Sequence, residues 1–207
     1  MGKNIALTLA VIVVGLAFGL CITITESNAQ TVLTDVWKDK EYLGVANKIS
    51  VFCITQNRAR RIQLEDEFVR QLKARGITGI PGYVIIPPDK MVEKEAALDK
   101  IRSLGADAIL SVRLIDKLTA RTNIPEPTPK GNAESTTGMG FYEYVYSPTT
   151  IPEGEPAYLE TLLFDARTGR RVWAARSVTK VDAADKKIVL DFIGGMIERL
   201  ASDGMIK

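Results

Sequence analysis

The stretch Tyr158–Val181 constrains the fold more than any other part of this chain. Two runs of strand formers, Tyr158–Phe164 (YLETLLF) and Arg171–Val181 (RVWAARSVTKV), flank the turn Asp165-Ala166-Arg167-Thr168-Gly169-Arg170. An Asp opens such a turn by accepting from its own downstream backbone, and a Gly supplies the positive φ that closes it. The pattern predicts a β-hairpin in which Asp165, Thr168 and Gly169 are structural turn residues. A metal role for Asp165 is disfavoured, because no second carboxylate stands at ligand spacing.

The remaining elements arrange themselves before and after this hairpin. Ile49–Ile54 is apolar on both faces and reads as a central strand. Leu64, Phe68 and Leu72 recur at helical spacing within 60–75, and Gly76 stops that helix. Tyr83–Ile86 reads as a short strand ended by Pro87-Pro88. A second helix is expected from Asp89 as N-cap to Leu104, with Gly105 as its terminator. Residues 106–121 alternate as one long half-buried strand, leaving one side of the sheet open to water or a partner. A last helix is expected over 184–202, with Val189, Ile193, Met196 and Leu200 inward. The order β-α-β-α-β-(insert)-β-β-α predicts an α/β (α+β) sandwich with a mixed sheet and helices mainly on one face.

Two segments stand apart from this alternation. Residues 1–29 carry Lys3, an apolar run from Ile5 to Ile24 and the small-residue exit Ser27-Asn28-Ala29, the pattern of a cleaved signal peptide. A retained membrane anchor is the first alternative. Lipidation at Cys21 is the second, disfavoured by the large Leu20 before it. Residues 30–48 are expected as an extended lead-in, and 49–207 as one domain. Residues 122–156 are rich in Pro, Gly, Ser and Thr, and too long for an ordinary connection. That insert contains Phe141, Tyr142, Tyr144 and Tyr146, which are candidate partner-binding residues because aromatic rings offer contact area at low entropic cost. The competing expectation is an insert that folds back over the bare sheet face. Trp173 is a lesser candidate, placed by alternation on the face opposite Val172; it either fills core or marks a contact surface.

Composition excludes whole classes of chemistry. The 207 residues include no His, which removes Ser-His-Asp and Cys-His catalysis and imidazole metal ligands. Removal of the leader leaves one thiol, Cys53, inside an apolar run, so no intramolecular disulfide forms. A net charge of +2 with scattered basic residues argues against nucleic acid as a partner. Ser177-Val178-Thr179-Lys180 matches an S-x-x-K pattern, but in a strand residues i and i+3 face opposite ways, so the match is discarded. Glu65–Glu67 and Glu93/Glu95 read as solvated helix faces. No catalytic, cofactor-binding or metal-binding residue is expected.

Three pieces carry a family resemblance: Ser103-Leu104-Gly105-Ala106-Asp107-Ala108-Ile109-Leu110; the D-x-x-T-G-x-x-x-W hairpin from Asp165 to Trp173; and the terminus Leu200-Ala201-Ser202-Asp203-Gly204-Met205-Ile206. Following a signal peptide in this order, they resemble small bacterial envelope proteins and lipoproteins. These share a fold with the curli-secretion lipoprotein periplasmic domain, the penicillin-binding-protein activator lipoproteins and the N-terminal domain of the Tol-system periplasmic protein. The resemblance implies a non-enzymatic periplasmic binding or assembly module whose partners are envelope proteins. The alternative expectation is binding of peptidoglycan or another carbohydrate through the aromatic insert.

Overall fold

In a computed structural model, residues 31–88, 92–126, 156–179 and 186–207 are described. Six strands form one mixed sheet: β1 (Thr31–Lys38), β2 (Lys48–Ile54), β3 (Thr78–Pro81), β4 (Ala108–Leu114), β5 (Ala157–Asp165) and β6 (Arg171–Thr179), in the order β1-β6-β5-β4-β2-β3. The β3-β2-β4 half is parallel and the β4-β5-β6-β1 half antiparallel. The crossover helices explain the parallel half, since parallel strands need a long connection, whereas the five-residue turn 166–170 lets β5 and β6 run antiparallel.

Strand alternation splits the core in two. Ile49, Val51, Cys53, Leu110, Leu163 and Trp173 point to one face, where they pack on α1 (Arg58–Ala74) and α4 (Lys186–Ser202) through Phe68, Leu72, Phe192, Ile193, Met196 and Leu200. Phe68 and Phe192 meet edge to face, with ring centroids 6.2 Å apart. The opposite face carries Phe52, Ile109, Leu162 and Phe164. It is covered by α2 (Lys94–Ser103) through Ala97, Leu98 and Ile101, together with Ile85, Ile86 and Ile124. The α+β sandwich is as expected, with the two longest described helices on one face and α2 on the other.

Several elements differ from the expectations, each for a local reason. The stretch expected as an extended lead-in contains β1, paired antiparallel to β6; a bulge between Leu33 and Asp35 breaks its period-2 pattern. The strand expected at Tyr83–Ile86 lies earlier, at Thr78–Pro81, and a single 3-10 turn, Gly82–Val84, follows it. Gly82 is needed there, since a Cβ would stand 2.5 Å from the Phe52 ring. The second helix begins at Lys94 rather than at Asp89, which lies outside the described residues. The long strand ends at Leu114, because the Asp116 carboxylate accepts from the Leu118 and Thr119 amides and starts α3 (Lys117–Ala120). The sheet face expected to be open is therefore covered by α2 and by the chain that follows α3.

Gly195 sits inside α4, and a Cβ built there would meet nothing within 4 Å. A helix-interior glycine with open space around it costs about 1 kcal/mol relative to Ala. Gly195→Ala is expected to raise the unfolding free energy by about that much, read from the urea midpoint at unchanged slope.

Candidate functional site

The three signature pieces are structural joints. Gly105 has φ 70° and lets the chain leave α2. Two residues on, the Asp107 carboxylate accepts from the Asn47 and Lys48 amides at 3.0 and 3.1 Å, which fixes the entry to β2. In the hairpin turn, Asp165 Oδ1 accepts from the Thr168 amide at 2.7 Å and from its hydroxyl at 2.9 Å, and Gly169 takes φ 70°. Trp173 Nε1 donates to Asp203 at 2.7 Å, and Arg199 Nε donates to the same carboxylate at 2.8 Å. The Trp of the hairpin is thus locked to the Asp of the terminal piece.

That geometry decides Trp173. It is fully buried in the core on the α1/α4 face, with Val172 in the same cluster, and so offers no contact surface. Simple alternation misplaced it because the β5–β6 register shifts between Leu163 and Phe164, which brings Val172 and Trp173 to one side. Phe141, Tyr142, Tyr144 and Tyr146 lie outside the described residues.

A buried polar knot joins α1 to β2 and to the turn after β3. Glu65 Oε1 accepts from Arg61 Nε at 2.9 Å and from the Cys53 amide at 3.1 Å, while Oε2 accepts from the Tyr83 amide at 2.7 Å. Arg61 Nη2 donates to the Ile86 carbonyl. Glu65 is therefore buried rather than solvated, and the helical stripe through Arg61, Glu65, Phe68 and Leu72 explains why. Burial raises its carboxyl pKa more than Arg61 and the amides lower it, and burial likewise pushes the Cys53 thiol well up, away from thiolate reactivity. Tyr83 donates its hydroxyl to Asp66 at 2.7 Å, which pushes the phenol up to about 12.

The arrangement that leads toward function lies on the α2 face. Arg113, Glu160, Arg176 and Asp35 stand opposite one another on β4, β5, β6 and β1, alternating in sign. Glu160 accepts from Arg113 Nε at 2.8 Å and Arg176 Nε at 3.0 Å. Arg176 Nη1 donates to the Thr119 carbonyl at 2.8 Å and to the carbonyl and hydroxyl of Thr122. Asp35 Oδ2 accepts from the Ile124 amide at 2.6 Å, and Ile124 is buried. Arg171 stacks over Trp37, 4.8 Å from the ring centroid, and donates to the Pro125 carbonyl. Together these bonds draw residues 116–126 into a strap across the sheet, ending where the 127–155 segment begins. The Glu160–Arg176 pair was not readable in advance: counting outward from the hairpin turn sets Glu160 against Ala175, and only the register shift between Leu163 and Phe164 brings Arg176 opposite it.

No group of three or more Cys, Asp or Glu side chains that could hold a metal ion occurs among the described residues. No protein-family model matches the chain, and no curated protein is significantly similar to it. Among solved structures it is similar to the PelC dodecamer from Paraburkholderia phytofirmans, at 16% identity over 80% of this chain and 96% of that one, with a TM-score of 0.42. It is also similar to lipoprotein GNA1162 from Neisseria meningitidis, at 12% identity over 75% and 96% of the two chains, with a TM-score of 0.37. Superpositions this loose carry no functional argument.

Glu160→Gln leaves two guanidiniums short of their counter-charge in a buried setting, and is expected to cost about 3 kcal/mol. It should also speed proteolytic cutting within 116–126 more than at α1. Glu65 gives a pH test. Its folded pKa lies above the ordinary 4.5, so its contribution to stability is complete below that value and is lost as pH rises toward the folded pKa. Glu65→Gln is expected to remove that slope from unfolding free energies measured across the same window.

Proposed function

We propose that the protein is a non-enzymatic binding module of the bacterial cell envelope, exported to the periplasm and acting through protein contacts. The observation that carries this reading is the strap. A row of charges on four strands, with Glu160 and Arg176 buried at its centre, holds residues 119–124 against the sheet just before the 127–155 segment, and a recognition surface gains affinity when its base is already ordered. Phe141, Tyr142, Tyr144 and Tyr146 supply the aromatic contact area on that segment. The chain brings no imidazole. Its Cys53 is buried with a raised pKa, consistent with a core residue rather than a nucleophile. Export rests on the leader-like pattern of residues 1–29.

The triple variant Tyr142→Ala, Tyr144→Ala, Tyr146→Ala tests this reading. Envelope proteins cross-linked to the wild-type chain in intact cells should be recovered about tenfold less with the variant, while retention on purified peptidoglycan stays the same. Lost peptidoglycan retention with unchanged protein partners would instead favour a carbohydrate ligand for the same rings.

A further inference from the structure

One end of the sheet gathers joints from every layer. β2 and β4 begin there, β1, α1, α2 and α4 end there, and the β5–β6 turn closes there. Between β1 and β2 the chain crosses this end over residues 42–46, which form no turn or helix. Their burial alternates as in a strand. Tyr42 packs on the core and Ala46 is buried, while Leu43 and Val45 point outward, 91% and 44% exposed.

This crossing is braced along its length. The Ala46 amide donates to the Met205 carbonyl at 2.8 Å, the Asn47 amide to Asp107 at 3.0 Å, and the Asn47 side chain to the Val45 carbonyl at 3.1 Å. Tyr42 lies so close over Gly44 that a Cβ there would collide with its ring. Leu43 is therefore held out in water by ordered neighbours, with Val45 beside it on the same side. An apolar pair fixed in this way gains by burial without a further ordering step.

The charge around the pair is of one sign in excess. Most acids of this end are engaged: Asp39 pairs with Arg170, Asp99 with Arg102 and Asp203 with Arg199, while Asp107 accepts two amides and Asp165 holds its own turn. Lys40, Lys48, Arg75 and Arg167 make no side-chain hydrogen bond or ion pair among the described residues. Arg167 stands close enough to bear on the Tyr42 phenol. The exposed Glu41 and Glu198 offset part of the excess.

We propose that this end of the molecule docks on a lipid surface with anionic headgroups, Leu43 and Val45 entering the interfacial layer while Lys40, Lys48, Arg75 and Arg167 meet phosphates around them. The four bases come from the β1–β2 connection, the start of β2, the end of α1 and the β5–β6 turn. A protein partner would need a pocket cut to a protruding Leu and acids set against four separate elements. A headgroup layer closes round any protrusion and carries its charge everywhere. This inference goes beyond the protein-contact reading and does not depend on it.

The variant Leu43→Trp in the full chain tests the docking. On vesicles of phosphatidylethanolamine and phosphatidylglycerol with brominated acyl chains, its added emission should be quenched, with Trp37 and Trp173 of the wild type as background. Residues 1–29 contain no Trp, so a retained leader adds nothing to the signal. Adding Lys40→Glu and Arg167→Glu should raise the lipid needed for the same quenching about tenfold, and added salt should act in the same direction. Val84→Trp, exposed beyond the far end of β3, should keep its emission. Leu43→Trp emission that the vesicles leave unchanged overturns the proposal, as does equal quenching on phosphatidylcholine alone or at Val84→Trp. A blue shift that grows with protein concentration in the absence of lipid marks a second copy on the loop, and overturns it too. Quenching should persist when Tyr142, Tyr144 and Tyr146 are replaced by Ala, so lost partner recovery there and lost docking here are separate results.

Discussion

The strap across the α2 face of the sheet depends on the charge of Glu160. It is buried at the centre of the sheet and answers two guanidiniums at once, Arg113 from β4 and Arg176 from β6. With that charge in place, Arg176 can spend its remaining donors on the carbonyls of Thr119 and Thr122, which have no strand to pair with. A buried triad of this kind adds little net stability over apolar packing, because desolvating three charges costs nearly as much as their attraction returns. What it supplies is direction. A hydrophobic patch would accept the strap in many positions, whereas planar guanidinium donors accept carbonyls in few.

The opposite face is held by different physics. There the contacts are almost wholly apolar, and α1 and α4 are fixed by side-chain packing, Phe68 against Phe192 among them. Its two polar exceptions, the Arg61–Glu65 knot and the Trp173–Asp203–Arg199 bond set, sit at joints between elements rather than in their middles. Each ties a helix to a strand or a terminus and meets its hydrogen-bonding needs internally, as a buried polar group must. Both faces are thus packed by apolar side chains, and the α2 face carries in addition the charged row that holds residues 119–124.

Much of the fold was legible where local chemistry and long-range packing agree. The β5–β6 hairpin, β2, α1 and α4 were visible because their turn residues and apolar periods are satisfied by the same arrangement. Gly76, Gly105 and Gly169 marked true chain reversals, each with positive φ. The misses share one cause. β1 was obscured by a bulge, β3 by its brevity and its proline, and the end of β4 by Asp116, whose capping role shows only once the chain turns. Glu65 looked solvated because its neighbours in sequence are charged, yet the helix places it toward β2. Trp173 fills core, one of the two places expected for it; only its side relative to Val172 was misread, because one shifted register reverses which side a residue takes.

By itself the sequence determined the hairpin, the number of turns of the main helices, the absence of imidazole chemistry and the apolar setting of Cys53. All of these follow from residue type and spacing over a few turns of chain. Only the tertiary structure decided that Glu160 lies between two arginines, that Asp35 of the first strand grips Ile124 from far along the chain, and that β1 is an edge with one side unmet among the described strands. Those facts depend on which strands become neighbours and in what register, and spacing along a single chain carries no direct record of either.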